Sequence, residues 1–511
     1  MSSIFDVPEL ASVVGQYLEP ADLHKCVQVS KAWQDNLTQS LWRTFICNST
    51  PEFPNAPSRI HKPTFLANSH HIRNIHSNDE GVITLVLLEC ARLEEVHVSR
   101  ENIYEFTMEY MFDIFVPAME ANSNTIKAFD FRSFPSSTEE TLGLLMKTLA
   151  PLNRLTHLSI TFCDHITEEA LMFLAATATQ LHELFITFSV YRGSISGATL
   201  KLEQTKLKEL RLITNVCDEE HMYFVPFLKA SPDLQAVKFP MFKNSKAALI
   251  LQTINQYCSK LCDIDLRRVS GLEDGNFADF MSAAQPSGLR KFSAHPKVSM
   301  GPKSIAALCS YTTTLQKVRV PAVGQASVTI ILHLLRSCPN MRDIDAFSGK
   351  HRSGRLGVFA TKELLSEPWV CLGLEVLCIP IVDVYSTDET GGADGKFDYH
   401  AELYSQLSQL IKLRKLNVGF NCSDIFSNNT SPLFSFKSGL RTLTTLKMLR
   451  LLDIQNTKIG IYREELEWMC NSWPHLESVK YKDEDCHDLW WRTEAEKEES
   501  EPPSLSDRAK A

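Results

Sequence analysis

The segment LTHLSITFCDHITEEALMFLAATATQLHELFI, residues 155–186, contains one full copy of the pattern that decides the fold. It begins with Leu-x-x-Leu-x-Ile, and the same pattern returns 26 residues later at Leu181. Apolar residues that alternate in this way point to one face of a short β-strand. Between the two strands, Leu171, Leu174 and Ala175 share one face of a predicted helix. The segment therefore predicts a strand followed by a helix and then by a second strand.

The pattern recurs along most of the chain, at steps of 26 to 28 residues from residue 155 to residue 341. One strand and one helix of this size cannot bury their apolar faces alone, whereas stacked copies share a continuous core. The regular spacing thus predicts an α/β repeat array. Further copies begin at Leu207, Leu234, Leu261, Leu289, Leu315 and Met341, then at Leu374, Leu413, Leu449 and Leu476, with looser copies at Leu93 and Ile126.

These units resemble leucine-rich repeats of the longer, cysteine-containing kind. The residues that match the repeat pattern in the quoted copy are Leu155, Leu158, Ile160, Cys163, Ile166, Thr167, Ala170, Leu171 and Leu174. The polar turn position after the strand is filled by Cys163, Asn215, Asn421 and Thr457, but by Phe242 and Val269 in other copies. The resemblance implies an irregular, curved solenoid over residues 93–481, with parallel strands on the concave side and helices on the convex side.

Composition and charge narrow the class of protein. The chain has 511 residues, a net charge of −9 and 44% hydrophobic residues, which is enough for a large core and lacks the basic excess of a general nucleic-acid binder. It shows no apolar run long enough for a membrane span and no secretory signal. We therefore expect its 14 cysteines to be reduced thiols in the cytoplasm, the nucleus or both.

Two copies are stretched by Gly-rich insertions near residues 348–372 and 383–400. The first contains the basic segment SGKHRSGRLG (348–357), and the second contains the acidic segment DVYSTDETGGADGKFD (383–398). Long insertions in a repeat array are either functional or tolerated surface loops, and the sequence leaves both possibilities open. Residues 482–511 are highly charged and are predicted to be disordered, apart from Trp490 and Trp491, which could cover the last repeat.

The N-terminal segment DVPELASVVGQYLEPADLHKC (6–26) precedes the repeats and predicts a small helical module over residues 5–45. Residues 46–92 are predicted to be a connector and a poorly defined first repeat. A proline occupies the first turn of the first helix and another marks its stop. The apolar face of the first helix is Leu10, Val14, Tyr17 and Leu18; the second helix carries Leu23, Cys26 and Val27, and the third carries Trp33, Leu37, Leu41, Trp42 and Phe45.

The order and spacing of this module resemble the F-box motif of substrate receptors in cullin–RING ubiquitin ligases. The match consists of Val7-Pro8-Glu9-Leu10, Tyr17-Leu18, Asp22-Leu23, Cys26, Val29, Lys31, Trp33 and Leu41-Trp42, with Val7 where the family usually has Leu. The resemblance implies that the ligase adaptor binds Val7, Pro8, Leu10, Val14, Tyr17, Leu18, Leu23 and Val29. An N-terminal cap of the repeat array is the alternative interpretation, and the two roles are compatible.

The expected function is therefore the substrate-recognition subunit of an SCF-type ubiquitin ligase. The F-box would bind the adaptor, and through it a cullin, while the repeats would bind a target protein destined for degradation. The alternatives are a repeat scaffold or inhibitor without a ligase role, and an enzyme whose site is not recognisable. We find no catalytic, cofactor or metal-binding pattern: GGADGK (391–396) lacks the length and the hydroxyl residue of a phosphate loop, and His70, His71 and His76 near Cys90 match no zinc spacing.

The concave face is the expected target surface, because strand residues beside the buried positions point towards it. The candidate residues are Asp263, Asp265, Arg267, Lys291, Lys317, Arg319, Asp343 and Asp345. Lys291, Lys317 and Arg319 form a basic strip with acidic pairs on both sides, which predicts binding of an acidic or phosphorylated segment. Mixed charges that serve only solubility are the alternative.

Overall fold

The computed structural model describes nineteen stretches of the chain, which together contain both the helical module and the repeats. Contacts divide the chain into two compact units, Met1–Phe242 with Gln256–Lys260, and Lys243–Asn255 with Leu261–Ala511. The described residues are 7–47, 62–99, 111–134, 139–162, 165–192, 202–214, 224–239, 242–243, 245–270, 272–283, 288–294, 300–320, 324–346, 359–382, 399–418, 436, 439–454, 461 and 463–480.

Among the described residues, each unit contains eight parallel strands of the main sheet, and consecutive repeats within a unit supply neighbouring strands. In the first unit the strands are Thr44–Cys47, Asn74–Ser77, Glu95–Ser99, Ala128–Phe134, His157–Phe162, Glu183–Phe188, Glu209–Thr214 and Ala236–Lys238. In the second unit they are Asp263–Leu266, Lys291–Ala294, Lys317–Arg319, Asp343–Asp345, Val376–Cys378, Lys415–Asn417, Leu451–Asp453 and Ser478–Lys480. Short additional strands are His165–Thr167, Val190–Arg192, Phe242–Lys243, Val269–Ser270, Phe359–Ala360 and Ile381–Val382.

Helices follow most of these strands. In the first unit they are Pro8–Gly15 (α1), Pro20–Cys26 (α2), Lys31–Arg43 (α3), Lys62–Asn68, Glu80–Glu89, Val116–Ala121, Glu139–Leu149, Glu168–Thr177 and Phe224–Ala230, with a 3₁₀ turn at Ser69–His71 and a π turn at Met111–Phe115. The second unit contains Asp274–Ser282, Pro302–Cys309, Gly324–Ser337, Thr361–Leu364, Tyr399–Ser408, Arg463–Ser472 and the 3₁₀ helix Leu440–Thr445, and Ser245–Tyr257 is divided between the units.

The strand prediction is confirmed at all fourteen predicted copies, since each sheet strand begins two residues after the first apolar residue of its copy. In the quoted copy, strand His157–Phe162 buries alternate residues, and helix Glu168–Thr177 buries Leu171, Leu174 and Ala175 as expected. The Thr167 side chain accepts a hydrogen bond from the Ala170 amide and caps this helix. Each unit is thus an α/β array of parallel strands and helices, consistent with leucine-rich repeats.

The array begins earlier than residue 93. Phe45, predicted to lie in the third helix, belongs instead to the strand Thr44–Cys47, which pairs in parallel with Asn74–Ser77. The Arg73 amide donates a hydrogen bond to the Arg43 carbonyl at 2.9 Å, so the end of α3 is joined directly to the second strand. Several predictions concern parts of the chain outside the described residues. They are those for the two Gly-rich segments (348–357 and 383–398), for the tail with Trp490 and Trp491, and for the turn residues Cys163, Asn215, Asn421 and Thr457.

Neighbouring repeats are linked by buried side chains that reach from the end of one helical segment to a carbonyl about thirty residues earlier. The residue types differ from copy to copy, although the role is the same. The bonds run from Asn122 to the Cys90 carbonyl, from Cys258 to that of Leu228, from Tyr311 to that of Met281 and from Trp473 to that of Leu443. Because these carbonyls end helices, the bonds satisfy acceptors that the helices leave open.

Helix Pro302–Cys309 receives its N-terminal cap from the preceding repeat. The carboxylate of Asp274 accepts hydrogen bonds from the amides of Gly301 (2.8 Å) and Ser304 (2.9 Å) and from the Ser304 hydroxyl. Burial raises the pKa of Asp274, but the hydrogen bonds from Ser304, Gly301 and Lys303 outweigh burial and lower the pKa below its ordinary value.

Replacing Asp274 by alanine is expected to lower the free energy of unfolding by about 1–2 kcal/mol at neutral pH, because the cap is lost. Since the folded-state pKa is lowered, this contribution is complete above the unfolded pKa and disappears as the pH falls through the folded pKa. Urea unfolding at neutral and acidic pH would measure the difference. Asp279→Ala, an exposed change on the helix that Asp274 begins, is the control, and an equal loss in both variants would contradict the prediction.

Candidate functional site

The N-terminal module has a small core in which short side chains allow close helix packing. Ala11, Leu23 and Leu37 are buried, and Leu18, Cys26, Val27, Trp33 and Leu41 pack around them. Helix α1 turns Ala11 and Gly15 towards α3, where a Cβ at Gly15 would collide with the side chain of Ser40. The small residues of α1 therefore face the core, whereas Leu10 and Tyr17, from the predicted apolar face, are exposed.

This orientation of α1 leaves large apolar side chains in solvent. Five of the fifteen exposed large hydrophobic residues in the described part of the chain lie between residues 7 and 29. They are Val7, Leu10, Val13, Tyr17 and Val29, with Tyr17 85% exposed. A concentration of this kind is typical of a surface that binds another protein.

The residues predicted to contact the adaptor separate into three groups. Val7, Pro8, Leu10, Tyr17 and Val29 are exposed, and Val14 and Leu18 are half-buried. Leu23 is 4% exposed and belongs to the core, so its assignment to the binding surface is wrong. Val13 was not among the residues expected to contact the adaptor, but it lies beside Val14 and is 51% exposed.

The module also contacts the start of the array. Trp42 stacks on Phe45 with ring centroids 6.5 Å apart, and Phe45 meets Phe65 edge-on at 5.6 Å. Phe65 is fully buried in helix Lys62–Asn68. Contacts of this kind are expected of a cap that covers the first strand of the repeats. The apolar residues between positions 7 and 29 remain exposed.

In the second unit, the charged strand residues lie side by side as the repeat frames predict. Parallel register places Lys291 between Asp263 and Lys317, and Lys317 beside Asp343. In the next row, Arg319 lies between Ser293 and Asp345. The strands therefore bring seven of the predicted target-binding residues together, and Arg267 joins them through its bonds to Asp265. We call the eight the second-unit charged face: Asp263, Asp265, Arg267, Lys291, Lys317, Arg319, Asp343 and Asp345.

The basic strip expected from the sequence is not free, because carboxylates hold its cations. Lys291 Nζ lies 3.0 Å from Asp263 Oδ2, and Lys317 forms an ion pair with Asp343. Arg319 lies within 4.0 Å of Asp343 and Asp345 (3.8 and 3.9 Å). Arg267 binds Asp265 through two nitrogens, and this raises the pKa of Arg267. Four cations thus balance four carboxylates, so an acidic ligand would have to displace internal partners.

Reversing Lys317 to glutamate is expected to lower the free energy of unfolding by about 1 kcal/mol, because it replaces an ion pair with a repulsive carboxylate pair across neighbouring strands. The charge swap Lys317→Glu with Asp343→Lys should recover most of that loss. Urea unfolding of the two single variants and the double variant gives the coupling energy directly. A double variant whose loss equals the sum of the single losses would show that the pair contributes nothing.

The strand face of the first unit carries a different cluster, made of histidines and carboxylates. His97 Nε2 lies 3.6 Å from Glu95 Oε2, and His97 Nδ1 lies 3.7 Å from Asp130 Oδ2. Asp130 and then Glu95 raise the pKa of His97 to about 9, and His97 in turn lowers the pKa of Glu95. Burial and then the neighbouring His97 lower the pKa of His76.

The sequence analysis missed this cluster although a signal was present. His97 and Asp130 occupy the outward middle position of the copies that begin at Leu93 and Ile126, and His76 occupies the same position in IRNIHS (72–77). That copy is harder to recognise as a repeat, because its last position holds Ser77 and not an apolar residue. Aligning the three copies would have placed these side chains in one row.

The cysteines are the other reactive side chains in the described ranges, and most of them are buried or half-buried. Ten cysteines in the described ranges are free thiols, and burial raises the pKa of Cys258 and Cys371 to about 12. No helix in those ranges has both the length and the apolar character that crossing a membrane requires.

No protein-family model matches the sequence, and no curated protein matches it significantly. Among solved structures, the crystal structure of the Rad7 and Elc1 complex in yeast aligns over 76% of this chain and 91% of the matched chain. The TM-score is 0.41 and the sequence identity is 11%. A likeness at this level carries no argument about the function of this chain.

Proposed function

We propose that this protein is a substrate-recognition subunit of an SCF-type cullin–RING ubiquitin ligase, in which the N-terminal module binds the adaptor and the repeats bind a target. The observation that carries the proposal is the exposure of Val7, Pro8, Leu10, Tyr17 and Val29. The F-box resemblance assigns these five residues to the adaptor contact. A module that served only as a cap would gain nothing from leaving them in water.

In this role the protein performs no chemistry of its own. It holds a target close to the ubiquitin-carrying subunit, and the raised effective concentration accelerates transfer to the target's lysines. The adaptor connects it to a cullin, the ligase acts in the cytoplasm or the nucleus, and proteasomal degradation of the target follows. The strand faces of the repeats supply the target surface, and the second-unit charged face is our candidate for it.

The balanced charges of that face favour a target segment that also carries both signs. A purely acidic peptide would have to compete with Asp343 and Asp345 for Lys317 and Arg319, whereas a mixed peptide can exchange partners without leaving a charge unpaired. The charge swap at Lys317 and Asp343 is therefore the suitable variant for target capture, because it alters recognition and retains an ion pair.

A repeat scaffold or inhibitor without a ligase role is the second candidate. The packing of Trp42, Phe45 and Phe65 favours it, since those contacts alone would justify the module as a cap. Affinity purification of the full chain separates the two functions. Recovery of a ligase adaptor together with a cullin supports the receptor, whereas recovery of other partners with neither of these supports the scaffold.

A further inference from the structure

Three neighbouring strands of the first unit gather two histidines and two carboxylates, all half-buried, on one face. His76 and His97 are register partners on Asn74–Ser77 and Glu95–Ser99, and their rings stack with centroids 4.1 Å apart. Glu95 lies two residues before His97, so both side chains share this face. Asp130 is the register partner of His97 on the next strand.

The donor atoms are close enough to share one ion. One donor atom from each of His76, Glu95 and His97 lies within 4.8 Å of the other two. Tetrahedral zinc holds its ligands about 2.0–2.2 Å from the metal, which places the ligands about 3.4 Å from one another. The 3.6 Å between His97 Nε2 and Glu95 Oε2 already approaches this separation.

We propose that His76, Glu95 and His97 bind a borderline divalent cation of the Zn²⁺ class, with Asp130 orienting His97 from the outer shell. Two imidazoles and one carboxylate are a donor set that zinc and its neighbours in the first transition row prefer, whereas Ca²⁺ and Mg²⁺ require mainly oxygen ligands. The site supplies three protein ligands, so a fourth position would remain for water or for a donor from a bound protein.

Asp130 provides an independent argument for the site. Its Oδ2 faces His97 Nδ1, which leaves Nε2 on the side of Glu95 for the metal. A carboxylate that accepts a hydrogen bond from the second nitrogen of a metal-binding histidine is the usual outer shell of zinc sites. Arg132 lies 3.3 Å from the same Oδ2, and this ion pair holds the carboxylate in place.

The test is binding of Zn²⁺ to the full chain, purified without a histidine tag and stripped with a chelator. Isothermal titration calorimetry should detect one saturable site. Because the protein contains thiols, substitution with Co²⁺ should accompany the titration. The expected absorption spectrum lacks a thiolate-to-cobalt charge-transfer band, since all three proposed ligands are nitrogen or oxygen donors.

Variants locate the site. His76→Ala with His97→Ala should weaken Zn²⁺ binding at least about 100-fold, and Asp130→Asn, which leaves every ligand in place, should weaken it about 10- to 100-fold. Glu95→Gln preserves the shape of the strand face, so it should weaken binding without a change in circular dichroism. The controls are His157→Ala, from a nearby pair with Glu183 (3.3 Å), and His70→Ala with His71→Ala, whose rings lie 3.8 Å apart.

The proposal predicts that both controls bind Zn²⁺ within about twofold of wild type, which is well inside the tenfold effect of an outer-shell change. Absence of a saturable site in the wild-type chain would overturn it. So would a thiolate band in the Co²⁺ spectrum, an equal loss in the His70 and His71 control, or unchanged binding in the folded Glu95→Gln variant. These outcomes are independent of adaptor binding, because no ligand lies in the N-terminal module.

Discussion

Replacing Pro8 and Leu10 together by alanine is expected to weaken binding of the ligase adaptor to the full chain by at least about 30-fold. That factor corresponds to about 2 kcal/mol, the loss typical of one interface hot spot. Leu10 is 46% exposed and Pro8 begins α1, so neither residue contributes to the core of Ala11, Leu23 and Leu37. The loss should therefore appear in binding and not in the free energy of unfolding.

Co-purification followed by titration of the purified adaptor would measure this effect. Leu88→Ala with Met146→Ala is the matched control, because both residues are exposed (65% and 44%) on helices of the same unit outside the module. It should retain full adaptor affinity. If instead Pro8→Ala with Leu10→Ala binds the adaptor as wild type does, the F-box assignment is wrong and the module is a cap.

Leu23 gives a second, different variant for the same experiment. The F-box resemblance placed this residue in the contact, whereas the structure buries it in the module. Leu23→Ala should therefore lower the stability of the module by about 2–5 kcal/mol and lose the adaptor only through that effect. Comparing the two variants separates a direct contact from support of the fold.

The repeat frame could be read from the sequence because its physical cause is local. A strand that buries alternate residues and a helix that buries every third or fourth leave a periodic trace, and the near-constant step repeats that trace along the chain. The frame also fixes which residues are lateral neighbours. The sequence analysis grouped Lys291, Lys317 and Arg319 by their sign, however, and did not pair each cation with the carboxylate that the register places beside it.

Other features could not be predicted because no periodic pattern encodes them. The orientation of α1 results from the close approach of α3 at Gly15, where a small residue is needed although hydrophobicity alone favours Leu10 and Val14 as core residues. The links between repeats use asparagine, cysteine, tyrosine and tryptophan for one role. A search for one conserved residue type at one position in every repeat would therefore miss them.

Among these links, we expect replacement of Asn122 to lower the free energy of unfolding the most. Its Oδ1 accepts a hydrogen bond from the Leu93 amide at 2.9 Å, and its Nδ2 donates to the carbonyls of Cys90 (3.2 Å) and Ala118 (3.0 Å). Asn122 is only 1% exposed, so water cannot replace these bonds. The side chain thus joins the end of one helix to the start of the preceding copy's strand segment.

Replacing Asn122 by leucine, which has a similar size, is expected to lower the free energy of unfolding by about 3 kcal/mol. Buried groups that lose a partner cost about 1–3 kcal/mol each, and the Leu93 amide and the Cys90 carbonyl both lose one. Urea unfolding measures the change, and amide hydrogen exchange at Leu93 should accelerate locally. Asn340→Leu is the control, because Asn340 is exposed and donates one bond to the Thr313 carbonyl (2.7 Å), so its cost should stay below about 1 kcal/mol. An equal loss of free energy of unfolding in the two variants would contradict the prediction. It would mean that the buried hydrogen bonds of Asn122 contribute no more to stability than the exposed one of Asn340.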